Sequence, residues 1–150
     1  SEYSEYTYLG YGPGESYVDN REGAYKDVFT RRVREDFQSY LKPQESSSRF
    51  DVSYLRIKGK TDEIFISAKE NFSFSATPYT VGELMRAGHD WQLSPSDKTA
   101  ICVDYKMSGT GSESCGPRLD EKYRLNEKHF TFSVGIQISD PEKTKTRRTI

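Results

Sequence analysis

Two histidines, His89 and His129, and two cysteines, Cys102 and Cys115, are the side chains of this sequence best suited to nucleophilic, proton-transfer or metal chemistry. Their spacing excludes the common arrangements. No HxxH, HExxH or CxxC pattern occurs, so neither a structural nor a catalytic metal is expected. No serine sits in a G-x-S-x-G elbow, and neither cysteine has the setting of a nucleophile. Gly10-x-Gly12-x-Gly14 matches a phosphate-cradling loop in its glycines alone, because no Gly-Lys-Ser/Thr follows. His89 and Asp90, in Gly88-His89-Asp90-Trp91, form with Glu70 the one set that could do acid–base work at a pocket mouth. A ribonuclease-like pairing of His89 with His129 can be drawn as freely. The balance is against catalysis: no catalytic residue and no cofactor is assigned.

What must position these residues is a single domain, the usual product of 150 residues. Lys and Arg number 22 against 23 Asp and Glu, a net charge of −1, which argues against a nucleic-acid partner. No apolar run approaches the ~18 residues of a membrane span. With 11 Tyr, 8 Phe and 1 Trp, aromatics make up 13% of the chain, so it can build a core and favours strands.

Residues 1–18 carry Tyr3, Tyr6, Tyr8, Tyr11 and Tyr17 among Gly, Ser and Glu, and read as a flexible arm whose tyrosines dock onto a partner. Residues 19–139 form the domain and 140–150 a basic, disordered tail. Over 24–42, Tyr25, Val28, Phe29, Val33, Phe37, Tyr40 and Leu41 recur at spacings of three and four, the stripe of an amphipathic helix ended by Pro43.

The period then changes to two. Phe50, Val52 and Tyr54 alternate before Leu55 and Ile57 continue in the opposite phase, which predicts a bulge. Residues 59–62 read as a turn, and the return strand through Ile64, Ile66, Ala68, Phe72, Phe74 and Ala76 is interrupted by Glu70. Thr80 and Glu83 have the form of a capping box that opens a short helix with Val81, Leu84, Met85 and Trp91 on its buried side. Strands are expected over 99–107 and 129–138.

Short loops favour antiparallel pairing, and the apolar face needs a cover that the first helix supplies. The expected class is α+β: a curved antiparallel sheet of at least four strands wrapped around the helix at 24–42. This order of elements resembles the cystatin-like roll, and within it the nuclear transport factor 2-like superfamily, over roughly residues 20–139. A second early helix usual there has no counterpart between Pro43 and Phe50. The resemblance implies a cone-shaped pocket in which dehydratases and isomerases place His, Asp and Tyr.

The first methionine is Met85, which suggests removal of an upstream signal segment. Asn71-Phe72-Ser73 is a glycosylation sequon, and a Cys102–Cys115 disulfide closing so short a loop would contribute ~2.5–3 kcal/mol. Small aromatic chains of this kind also look like secreted effectors of plant-pathogenic, rust-type fungi. The expected function is thus a secreted, monomeric, non-enzymatic protein that binds a host protein, in the host cytoplasm or nucleus after delivery. The alternative is a small-molecule carrier or dehydratase/isomerase using the cone. A third reading is a carbohydrate-binding sandwich in which exposed Tyr and Trp91 stack on sugars.

Overall fold

The computed structural model describes residues 3–109 and 118–140. Six strands form one sheet: β1 (Glu5–Gly12), β2 (Tyr25–Arg32), β3 (Arg49–Lys58), β4 (Glu63–Thr77), β5 (Ala100–Asp104) and β6 (Val134–Ser139). Every pairing is antiparallel, in the order β2-β1-β3-β4-β5, and β6 also pairs with β4. One short helix, α1 (Val81–Arg86), and single 3-10 turns at Asp90–Gln92 and Glu121–Tyr123 complete the regular elements among the described residues. The expected α+β roll is thereby corrected to an antiparallel β fold with no helix in its hollow.

The segment 24–42 is where that expectation fails. Tyr25 and Phe29 are four apart, which puts them on one face of a helix but equally on one face of a strand. Their rings meet at 5.4 Å on β2, with Phe29 opposite Tyr8 and Val28 opposite Leu9 on the other face. After Arg32 the chain makes one turn, Glu35 and Asp36 donating back to the Arg32 carbonyl, and leaves the sheet. Of this segment Val33 alone enters the buried cluster, with Phe29 packed beside it.

The supposed arm is the second correction. Residues 5–12 form β1, hydrogen-bonded between β2 and β3. Tyr6 and Tyr8 point inward with 1% and 0% exposure, and Gly10 and Gly12 follow on the same face. These glycines are slots: a Cβ on Gly10 would lie 2.7 Å from Val52 Cγ2, and one on Gly12 would collide with the Tyr8 hydroxyl and the Phe29 ring. Backbone proximity, not a break in the strand, requires glycine here.

Elsewhere the period-two reading holds. β3 and β4 make the expected hairpin, closed by the Gly59 N–H donating to the Asp62 carbonyl at 2.8 Å. The predicted bulge falls between Arg49 and Tyr54, where the register with β4 shifts twice. Thr80 and Glu83 form the capping box of α1. Leu84 is buried, but Val81, Met85 and Trp91, expected on the same side, are exposed. β5 and β6 lie within the predicted strands, and residues 141–150 of the predicted tail lie outside the described residues.

The core forms because the sheet curls. Phe74 lies eight residues beyond Ile66 on β4, ~26 Å along a straight strand, yet its ring meets Tyr6 at 5.4 Å and Tyr8 at 5.2 Å, edge to face. Leu55, Ile57, Ile66, Phe72 and Val52 fill the same space. Phe132 and Val134 pack against this cluster as expected, but Phe130 stacks on Tyr105 at 4.7 Å outside it.

One buried ion pair crosses the core's edge. Arg49, 1% exposed, pairs with Asp36, which also accepts from the Tyr6 hydroxyl, and donates to the Ser47 and Ser48 carbonyls at 3.0 and 3.1 Å. Glu15 fixes the neighbouring loop by accepting from Tyr17, Tyr40 and the Ser47 N–H, and its bond to Tyr40 raises that hydroxyl's pKa to about 12.

Asp104, at the end of β5, has the opposite circumstance. Burial, and then the nearby Glu45 carboxylate, raise its pKa above the usual carboxylate range. Because the folded pKa is the higher, stability falls as pH rises from the unfolded value through the folded one, and the charged form costs stability at neutral pH. D104N should therefore raise Tm at pH 7 and not at pH 3, measured by calorimetry. An equal change at both values would show that charge is not the cause.

Candidate functional site

β5 and β6 pair with the same edge of β4, β6 along Glu63–Ala68 and β5 along Ser73–Thr77. Between the two ladders, Lys69, Glu70 and Asn71 face no residue of a neighbouring strand, since β3 pairs with β4 through Ser67 and then Phe72. A cleft of about 240 Å³ fills this fork. Phe50 and Asp51 of β3 form one wall, Tyr105–Met107 after β5 another, and Lys122–Leu125 on the way to β6 a third.

Asp51 holds φ at 55°, the left-handed region that Asp tolerates better than most residues. Both its oxygens are engaged. Lys26 Nζ donates to Oδ2 at 2.8 Å and Asn71 Nδ2 to Oδ1 at 2.6 Å, while Ser53 Oγ donates to Asn71 Oδ1 at 3.0 Å. Burial works against ionisation, but the bonds from Lys26 and Asn71 outweigh it and hold the carboxyl below its ordinary pKa. The lysines of the cleft are also matched, Lys106 with Glu127 and Lys122 with Asp120 at 3.3 Å.

Glu70, singled out because it interrupts an apolar face, lines this cleft. His89 and Asp90 do not join it. His89 stacks on Trp91 at 5.8 Å on an exposed turn after α1, and Asp90 accepts from Ser39 Oγ at 3.2 Å. The set His89, Asp90 and Glu70 is thus divided between two places, and the cone that would have gathered it is replaced by packed side chains. His129 is exposed ahead of β6.

Of the five tyrosines assigned to partner docking, Tyr6, Tyr8 and Tyr17 are buried. Tyr3 donates to Asp62, and Tyr11 packs on Phe50 at 5.8 Å. The sequon residue Asn71 is exposed on β4, with its amide nitrogen bonded to Asp51. Cys102 is half-buried on β5 opposite Ser75, and Cys115 lies outside the described residues, as does any bond between them. Among the described residues no group of three or more His, Cys, Asp or Glu could hold a metal ion, and no helix is long and apolar enough to cross a membrane.

Asp51, Lys106, Lys122 and Arg124 went unnoticed in the sequence. Asp51 had a signal in the phase change after Phe50. The other three sit in loops whose return to β4 depends on the fork.

Comparison with known proteins overturns the remaining assignments. The family model for the beta galactosidase small chain matches residues 1–136. A beta-galactosidase of Actinobacillus pleuropneumoniae is 43% identical over 129 residues, covering 86% of this chain and 12% of that protein. One from Staphylococcus xylosus is 34% identical over 91% of this chain and 14% of its own length, and one from Kluyveromyces lactis 33% over 89% and 13%. The chain therefore spans between 12 and 14% of these curated relatives.

These matches replace both the nuclear transport factor 2-like resemblance and the reading as a fungal effector. With the effector reading go virulence, secretion and delivery to a host compartment, and the dehydratase or isomerase alternative falls with the cone. The sheet, the shared edge of β4 and the match along nearly the whole length agree: this chain belongs to the beta galactosidase small chain family.

Proposed function

We propose that the chain serves a β-galactosidase as a β-sheet module beside a much larger catalytic part. The observation that carries this reading is the match over residues 1–136 together with the small share of each relative that the chain represents. Glycoside hydrolysis uses a pair of carboxyl groups, one of them protonated to act as the acid. Asp51, the deeper carboxylate of the cleft, is held ionised by two hydrogen bonds and is unsuited to that acid role. The module's part is then to shape and support a site whose acid and nucleophile come from the larger portion.

A chimera tests this. The segment of the Actinobacillus relative that matches this chain is either deleted or replaced by it, and hydrolysis of a chromogenic β-galactoside is measured. Deletion should lower kcat/KM by about 100-fold or more, as loss of a positioning element does, and replacement should restore it to within about tenfold. A folded chimera as inactive as the deletion would overturn the proposal.

A further inference from the structure

The fork between β5 and β6 has the makings of a ligand site, quite apart from the catalytic pair. Its floor is strand backbone at residues 69–71 with no neighbouring strand. Its wall includes Asp51, held in a left-handed conformation by two hydrogen bonds from its side chain. A non-glycine residue kept there by its surroundings is a feature that concentrates at binding sites.

Charge decides which class of ligand fits. Lys106 and Lys122 are each paired with a carboxylate, and both oxygens of Asp51 are occupied. An anion therefore meets no unmatched lysine, and a cation meets no open Asp51 oxygen. What remains is a balanced lining of donors and acceptors, to which the exposed Glu70 adds a carboxylate with no ion pair among the described residues. Hydroxyl groups both donate and accept, so a neutral polyol satisfies such a lining where an ion does not.

Size and apolar surface narrow the class. The volume of about 240 Å³ lies below the ~300–1,000 Å³ of drug-sized ligand sites and suits one ring. Phe50, Phe72, Met107 and Leu125 supply apolar area for the C–H face of such a ring.

We propose that this fork binds a single neutral pyranose ring, with the Glu70 carboxylate accepting from two adjacent hydroxyls and the Asn71–Asp51 pair fixing the wall beside it. The choice of a galactoside as first probe rests on the glycosidase reading above. The geometry by itself asks only for an uncharged hexose.

The test is a titration of the full chain with methyl β-galactoside, glucose, galacturonate and sulfate, followed by amide chemical shifts. A neutral sugar should give saturable shifts at residues 105–107 and 122–125, with Kd on the order of millimolar. E70Q, at an exposed position, should weaken that binding about tenfold while leaving the remaining spectrum unchanged. N71A, which loosens Asp51, should weaken it as well.

Absence of saturable shifts for every neutral sugar would overturn the inference. So would equal binding by E70Q, or tighter binding of sulfate or galacturonate than of any neutral sugar. Binding of glucose with refusal of the galactoside would uphold the neutral-ring site and count against the glycosidase reading, which the chimera tests without reference to this cleft.

Discussion

Asp36→Ala should cost about 3–5 kcal/mol, the penalty typical of removing one partner from a buried ion pair. Arg49 is 1% exposed, and Asp36 is the carboxylate paired with it. Truncation leaves a guanidinium in the core's edge with two backbone carbonyls for company, and it also deprives the Tyr6 hydroxyl of its acceptor. The expected result is a large fall in the urea midpoint with little change in m-value. D36N should recover only part of the loss, because it restores hydrogen bonding and not charge. The double variant D36A/R49M should be more stable than D36A, since removing both charges avoids the stranded one. If D36A and wild type unfold at the same denaturant concentration, the pair is not the constraint described here.

Removal of residues 1–12 should abolish cooperative unfolding altogether. β1 is hydrogen-bonded on both sides, and it supplies Tyr6 and Tyr8, two of the largest buried side chains. Each would cost ~3–5 kcal/mol if truncated to alanine, by analogy with Phe or Trp, which together approaches the 5–15 kcal/mol that holds a domain folded. β2 would also lose its only neighbour in the sheet order. A finer probe is G10V, whose branched side chain must displace Val52 and the Phe50 carbonyl. Overpacking of this kind costs about 1–3 kcal/mol. Retention of a sharp thermal transition in the truncated chain would show that β1 is dispensable.

These two variants also mark what the sequence made legible. The β3–β4 hairpin could be read because Ile64, Ile66, Phe72, Phe74 and Ala76 repeat at period two on either side of a turn signal. The Thr80–Glu83 capping box could be read because its two bonds are local. β1 was hidden because Gly10 and Gly12 are ordinarily strand breakers, and only the closeness of Val52 and Tyr8 explains them. β2 was misread because the four-residue spacing of Tyr25 and Phe29 serves both periods, and the choice belongs to the neighbouring strand. Glu70 stood out as a charge in an apolar phase. Lys106, Lys122 and Arg124 had no such mark, since their convergence follows from two ladders sharing one edge of β4.

The single tryptophan of the chain, Trp91, is 76% exposed beside His89. Its indole already samples water in the native state, so its emission should change little when the core melts. Spectroscopists following this protein would do better with the tyrosine signal in the near-ultraviolet, where Tyr6, Tyr8 and Tyr17 pass from a packed interior into solvent. The lone indole is then left as a quiet marker for anything that settles on the surface around it.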